Sequence, residues 1–330
     1  MVSANGDGTH ELVASRRSRA WGLGPGAFRL VLVAFVIALP SAAASCGGEP
    51  PRAPPRQENV ARWSDVFEGT PDIFAVVRPQ ALKRDALYGS FWRALIRAAQ
   101  ARGFARGARM VEAAEGAEEI IVGVDEGSDA VLVLRSVPAS LDPERVVDAE
   151  GRPLFRARDE RAKVVEYELL DPSVPDGALF VLPGRTWVGA LGDARERARQ
   201  VFATPSNRPA PTVDPEGLVV VRFAGPIVHV LDRHPRWGAL TRKLSSATFT
   251  LKPGNGGLVV ALRYEEASAT AMAEMQAKQI VEEIARDDER FAWLKEAKVK
   301  YEGDTVFVRV AVPPRLLEEL PQATGADLGL

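Results

Sequence analysis

Reactive side chains are scarce in this chain. Its 330 residues include one cysteine, Cys46, and three histidines, His10, His229 and His234. A lone cysteine excludes an internal disulfide, so the fold must draw its stability from burial. A zinc site would be left with two body histidines and carboxylates. The longest apolar run, residues 30–39, has ten residues, about half of what a membrane-spanning helix needs. Neither sign of charge dominates. Residues 1–45 contain Arg16, Arg17, Arg19 and Arg29 against Asp7 and Glu11, which leaves 38 basic and 42 acidic residues of the total 42 and 44, a net of about −4. That balance gives no general attraction to nucleic acid. With 46% apolar and 26% charged residues, the chain has the composition of a globular protein with a real core.

The N-terminal segment is the most legible part. The four arginines precede the ten-residue run LVLVAFVIAL, and Pro40 breaks any helix after it. The small residues at 41–45 then lead to Cys46, Gly47 and Gly48, the layout of an export signal. Ala43-Ala44-Ser45-Cys46 resembles the lipobox of bacterial lipoproteins, with alanine at 43 where leucine is usual. The resemblance implies that residues 1–45 are a lipoprotein signal peptide, that Cys46 receives a diacylglyceryl group, and that the new N-terminus is acylated. The membrane is then the first partner, and two or three acyl chains make attachment effectively permanent. Ordinary secretory cleavage after Ala44 is the alternative. The arginines at 16, 17 and 19 are superficially similar to a twin-arginine signal, but Arg19 stands where that family places a bulky apolar residue. Gly47, rather than the aspartate that retains enteric lipoproteins in the inner membrane, points to the periplasmic side of the outer membrane, with the inner membrane as the alternative. Residues 46–63 are rich in proline and glycine and read as an extended tether.

The body contains an internal echo. Val76-Val77-Arg78 is matched by Val220-Val221-Arg222, Trp92-Arg93-Ala94-Leu95 by Trp237-Gly238-Ala239-Leu240, residues 131–135 by 259–263, and Val165-Glu166-Tyr167 by Val299-Lys300-Tyr301. Each half reads as strands in hairpins separated by helices. Strands are expected at 73–78, 120–136 (a hairpin), 164–170, 178–191, 218–223, 249–251, 258–264 and 298–312. Helices are expected at 90–101, 143–149, 194–202 with Asp193 as cap, from 227 with a kink at Pro235, and 268–286. Hairpins between helices imply an α+β fold. Each half is large enough for its own core, so we expect two related lobes, 64–204 and 216–330, each an antiparallel sheet with packed helices, joined by a proline-rich linker at 205–215. The body resembles duplicated α+β envelope lipoproteins, a resemblance that implies no reaction.

Few constellations suggest chemistry. His229 and Asp232, with Ser245 or Ser246 as nucleophile, lack the Gly-x-Ser-x-Gly elbow. The glycine-rich stretch 252–257 joins two strands and lacks a Lys-Ser/Thr, which makes it a hairpin turn rather than a phosphate loop. Glu166 and Glu168 share one strand face, which reads as a solvated surface. Lys83, Arg84, Arg93, Arg97, Arg102, Arg106 and Arg109 form a basic stretch suited to anionic headgroups or an acidic polymer, although Glu112, Glu115, Glu118 and Glu119 follow it. The scattered tryptophans suit the core. The sequence therefore gives no catalytic, cofactor-binding or metal residue. Lipid attachment at Cys46 is its one assigned site. The expectation is a non-catalytic envelope binding or scaffold module for an unknown protein, lipid or wall component, with no nucleic acid; the alternatives are an envelope hydrolase or a structural spacer.

Overall fold

The computed structural model describes residues 61–67, 69–101, 108–125, 129–148, 150–161, 163–170, 177–204, 215–232 and 237–319. Cys46, the signal segment, nearly all of the tether, the linker at 205–214 and residues from 320 onward lie outside the described residues.

Two strands decide the architecture. β1 (Ile73–Val77, IFAVV) and β8 (Val219–Ala224, VVVRFA) are apolar at nearly every position instead of alternating. Such a strand has to be covered on both faces and paired along both edges. They satisfy this by pairing with each other, antiparallel, with Ile73 opposite Phe223, Val76 opposite Val220 and Val77 opposite Val219. The outer edge of β1 carries β2 (Glu119–Val124) and β3 (Ala130–Arg135), followed by β7 (Thr186–Leu191), β6 (Ala178–Leu182), β5 (Val164–Leu169) and β4 (Phe155–Arg161). The outer edge of β8 carries β9 (Leu244–Leu251), β10 (Leu258–Tyr264), β12 (Thr305–Val310) and β11 (Lys298–Glu302). The result is one twelve-stranded antiparallel sheet.

The expected pair of lobes is therefore corrected to two halves fused through a central seam. Either half alone would leave the backbone donors and acceptors of an apolar strand unpaired, and the other half's first strand supplies the partner. The echo is partly real. Val76 and Val220, matched in the sequence, are also cross-strand partners, so an approximate twofold relation passes between them. The match of 165–167 to 299–301 is not structural, because β11 occupies the place of β6, and the β4–β5 hairpin is an addition peculiar to the first half.

Helices load the two faces unequally. On one face, α1 (Pro79–Arg84), α2 (Gly89–Ala101), α5 (Gly238–Thr241), α6 (Thr270–Asp287) and α7 (Pro314–Glu319) contribute Leu82, Tyr88, Phe91, Leu240, Ala273, Ala277, Ile280 and Leu317 to a cluster with Val77, Val221, Phe223, Leu251 and Val308. α3 (Ala108–Gly116) covers the same face further out, with Ala113 packed near Leu134, Leu179 and Trp187. On the opposite face, α4 (Asp193–Ala203) and a short 3-10 turn (Trp63–Val66) cover only the first half, burying Ala194, Ala198, Phe202, Val66 and Phe67 against Phe74, Val133, Phe180 and Val188. Gly123 makes room here, because a Cβ at that position would stand 2.4 Å from the Phe67 ring.

Several local expectations change. The strand at 249–251 extends back to Leu244, and 143–149 holds only a 3-10 turn, Pro143–Arg145. The helix from 227 is a 3-10 segment, Gly225–Leu231, and Pro235 lies outside the described residues. Asp193 is the first residue of α4, and the cap comes from another strand pair, Asp129 Oδ1 accepting the Asp193 N–H at 3.0 Å. β4, FRARDER, escapes the periodicity reading because it is charged along its length, as suits an edge strand.

Phe223 lies across the seam from Ile73 and packs edge-on to Phe249, ring centroids 5.8 Å apart. Phe223→Ala should cost about 3–5 kcal/mol. In urea, the unfolding of both halves should remain one coincident transition, followed by tryptophan fluorescence and far-UV circular dichroism; two separated transitions would contradict a single sheet.

Candidate functional site

The residues singled out by sequence are mostly engaged in structural pairs. His229 Nδ1 lies 3.2 Å from Asp232 Oδ2, and Asp232 Oδ1 accepts the Thr241 hydroxyl at 2.7 Å, which ties the 3-10 segment to α5. Ser245 donates its hydroxyl to the Arg263 carbonyl at 2.9 Å, and Ser246 is buried. Among the described residues no serine hydroxyl is hydrogen-bonded to His229, so no triad is assembled among them, and His234 lies outside them. Residues 252–257 form the expected turn between β9 and β10, with Gly254 and Gly257 at φ of 55° and 64°. No cluster of three or more histidine, cysteine or carboxylate side chains suited to a metal occurs among the described residues.

The basic stretch is partly neutralised by the acids that follow it, since Lys83 Nζ lies 2.9 Å from Glu115 Oε1 and Gln80 donates to the Glu115 carbonyl at 2.9 Å. Arg102 and Arg106 lie outside the described residues. Trp92 and Trp187 are buried.

The pair Glu166 and Glu168 does lead to a site, in which Glu166 is largely withdrawn from solvent and Glu168 remains partly exposed. β5 presents both toward α4, where Glu166 is bound by Arg199 through Nε at 2.9 Å and 3.0 Å and through Nη2 at 2.5 Å. The Glu166 side chain is 12% exposed and that of Arg199 27%. The hydrogen bonds that Arg199 donates to Glu166 hold the guanidinium still more firmly in its charged form. Glu168 accepts from Arg156 Nη2 at 2.6 Å, and that bond, joined by the charges of Arg156, Arg158 and Arg195, holds its carboxyl below the usual carboxylate range. Beside the Glu166–Arg199 pair opens a cavity of about 330 Å³ lined by Arg158, Asp159, Val164, Phe180, Phe202 and Ala203. Phe180 and Phe202 meet edge-on at 5.4 Å.

This arrangement suits binding better than catalysis. A carboxylate held at both oxygens by one guanidinium is committed to an ion pair and poorly placed to take a proton from a substrate. The cavity lining mixes both signs of charge, Arg158 and Arg199 with Asp159 and Glu166, beside the largely buried Phe180 and Phe202. Sequence reasoning missed Arg199 and the two phenylalanines because they come from strands and a helix remote in the chain; the clustering of Arg195, Arg197 and Arg199 on one short helix was the available signal.

Replacing Glu166 with glutamine keeps the shape and removes the charge, so Glu166→Gln should lower stability by about 1–3 kcal/mol, measured by denaturant unfolding. A loss within error would show the pair to be inert.

A second electrostatic feature lies at the other end of α4. Asp125 is partly desolvated and has Asp72 and Asp129 nearby, which raises its carboxyl pKa despite Arg197 at 3.5 Å. A raised folded-state pKa means that the charged form is disfavoured on folding; the penalty is present above the carboxylate range and is relieved as pH falls through it. Asp125→Asn should accordingly raise the melting temperature at neutral pH, and the difference should vanish in acid.

No family model matches the chain, and no curated protein matches it in sequence. Three solved structures of TP0453, in crystal forms III, I and IV, align with 81%, 79% and 79% of this chain and with 100%, 97% and 97% of their own length. Their TM-scores are 0.48, 0.47 and 0.46 and their identities 10%, 12% and 10%. The chain is similar to them in extent and coarse outline, a likeness too distant to assign an activity.

Proposed function

We propose that this protein is a lipid-anchored envelope protein whose body is a non-catalytic binding or scaffold module. The observation that carries the reading is the sequence arginines, ten-residue apolar run, small residues, Cys46. Cleavage before Cys46 and acylation there attach the chain to a membrane surface, and Gly47 favours the periplasmic face of the outer membrane. The body fits this address. With one cysteine it forms no internal disulfide, and none of its described helices is long and apolar enough to cross a membrane. Its candidate constellations, His229 with Asp232 and Glu166 with Arg199, are occupied in holding loops and strands together.

Metabolic labelling with a fatty acid should mark the wild-type chain, and Cys46→Ser should abolish the label. Mass spectrometry of the purified protein should find a modified Cys46 as the first residue. An unlabelled wild-type chain beginning at Ser45 would instead identify a secreted protein with a free thiol.

A further inference from the structure

One face of the sheet changes character beyond the seam. In the second half, side chains of one parity, Val219, Val221, Phe223, Ala247, Phe249, Leu251, Val260, Leu262, Val306 and Val308, go to the helix-covered core. The other parity forms three cross-strand rows on the opposite face. One row runs Arg222, Thr248, Ala261, Phe307, Lys300; the next runs Val220, Thr250, Val259, Arg309, Lys298; the third runs Ala224, Ser246, Arg263, Thr305, Glu302. Among the described residues no helix packs on these rows. Lys298, Lys300, Arg263 and Arg309 are exposed, whereas Val220, Thr250 and Ser246, nearer the seam, are buried.

The face therefore carries five cations and one carboxylate. Arg309 reaches that carboxylate, Glu302, at 3.5 Å and lies over the Phe307 ring at 4.6 Å. Arg263 turns to Asp304 in the adjoining turn at 2.8 Å. Arg222, Lys298 and Lys300 have no acidic partner among the described residues. The row from Arg222 to Lys300 crosses four strand spacings, about 19 Å, so the charge is spread over a surface instead of gathered in a pocket.

The path of the chain selects the occupant. Ala61, the first described residue, is buried with Phe67, Phe74 and Val76 on this same side of the sheet, so the N-terminal segment joins the body from the face that carries the cations. A tether of 14 residues, 47–60, reaches roughly 40 Å when extended, enough for the body to turn that face to its anchoring surface.

We infer that the exposed face of β10, β12 and β11, with Arg222 behind it, is a second membrane contact that engages the headgroups of anionic phospholipids. The inference rests on the anchored reading above for its biological setting, but the chemistry is independent of the acyl group. A dispersed set of lysines and arginines on a flat face, each strengthening attachment about fivefold near an anionic surface, matches a layer of phosphates, and Phe307 adds an apolar contact at headgroup depth. Lys83, Arg84, Arg93 and Arg97 belong to helices that pack on the other face.

The test uses residues 46–330 carrying Cys46→Ser, which retains every described element and cannot be acylated. Sedimentation with phosphatidylcholine vesicles is compared with vesicles in which a third of the lipid is phosphatidylglycerol. The chain should bind only the anionic vesicles, release as salt rises, and lose binding at least about 100-fold in Lys298→Glu/Lys300→Glu/Arg309→Glu, while Lys83→Glu/Arg84→Glu on the other face leaves it unchanged. Equal binding to both vesicles, no binding to either, or full retention by the triple variant would overturn the inference. Salt dependence and lipid preference of the parent test it without relying on the folding of the variant. Fatty-acid labelling of the full chain reports separately on the anchor: a labelled chain whose unacylated form ignores anionic vesicles keeps the anchor and discards the face, and the reverse result does the opposite.

Discussion

The pairing of β1 with β8 is the constraint on which the rest depends. Each is apolar on both faces, and each would expose an unpaired edge if its half folded alone. Joined at Val76 and Val220, they turn two five- to seven-stranded halves into one sheet with a continuous ladder. Arg78 reinforces the seam, bonding the Gly217 carbonyl ahead of β8 and, at 3.1 Å, Glu119 of β2. Asp85 does so from the helix layer, its Oδ2 accepting the Gly254 N–H of the second half at 2.8 Å. The two halves are thus held by backbone pairing together with these two hydrogen bonds between side chain and backbone.

A sheet this wide ends in two edges, and both are guarded by charge. β11, KVKYE, and β4, FRARDER, alternate or cluster cations and carboxylates where a neutral strand would invite pairing with another chain. A register shift in β4 between Ala157 and Asp159 further disfavours an incoming partner. The lysines of β11 then serve two ends, blocking edge association and charging the face beside it.

The unequal loading of the two faces links fold to proposed role. Core helices crowd one side, because the second half sends most of its large apolar side chains there. On the other side, α4 covers only the first half and borders the Glu166–Arg199 cavity, leaving beyond the seam a face of cations and hydroxyls mixed with Val259, Ala261 and Phe307. Charged side chains elsewhere are largely spent on one another, as with Lys83 and Glu115 or Glu168 and Arg156.

Hairpin order and most strands were legible because each depends on neighbours in the chain: alternation over five or six positions, glycines where a turn needs positive φ. The internal echo was legible as well, through Val76-Val77-Arg78 and Val220-Val221-Arg222, and the apolarity of those two strands, broken within them only at Arg222, already carried the sign that they would be central. What local pattern does not encode is the partner of an edge. Hydrogen bonding along a strand is nearly indifferent to sequence, so whether β1 closes a lobe or meets β8 was decided only when both halves were present. For the same reason the basic face was invisible in the chain. Arg222, Arg263, Lys298, Lys300 and Arg309 are spread over nearly ninety residues and converge because a sheet places every second side chain of five strands on one plane.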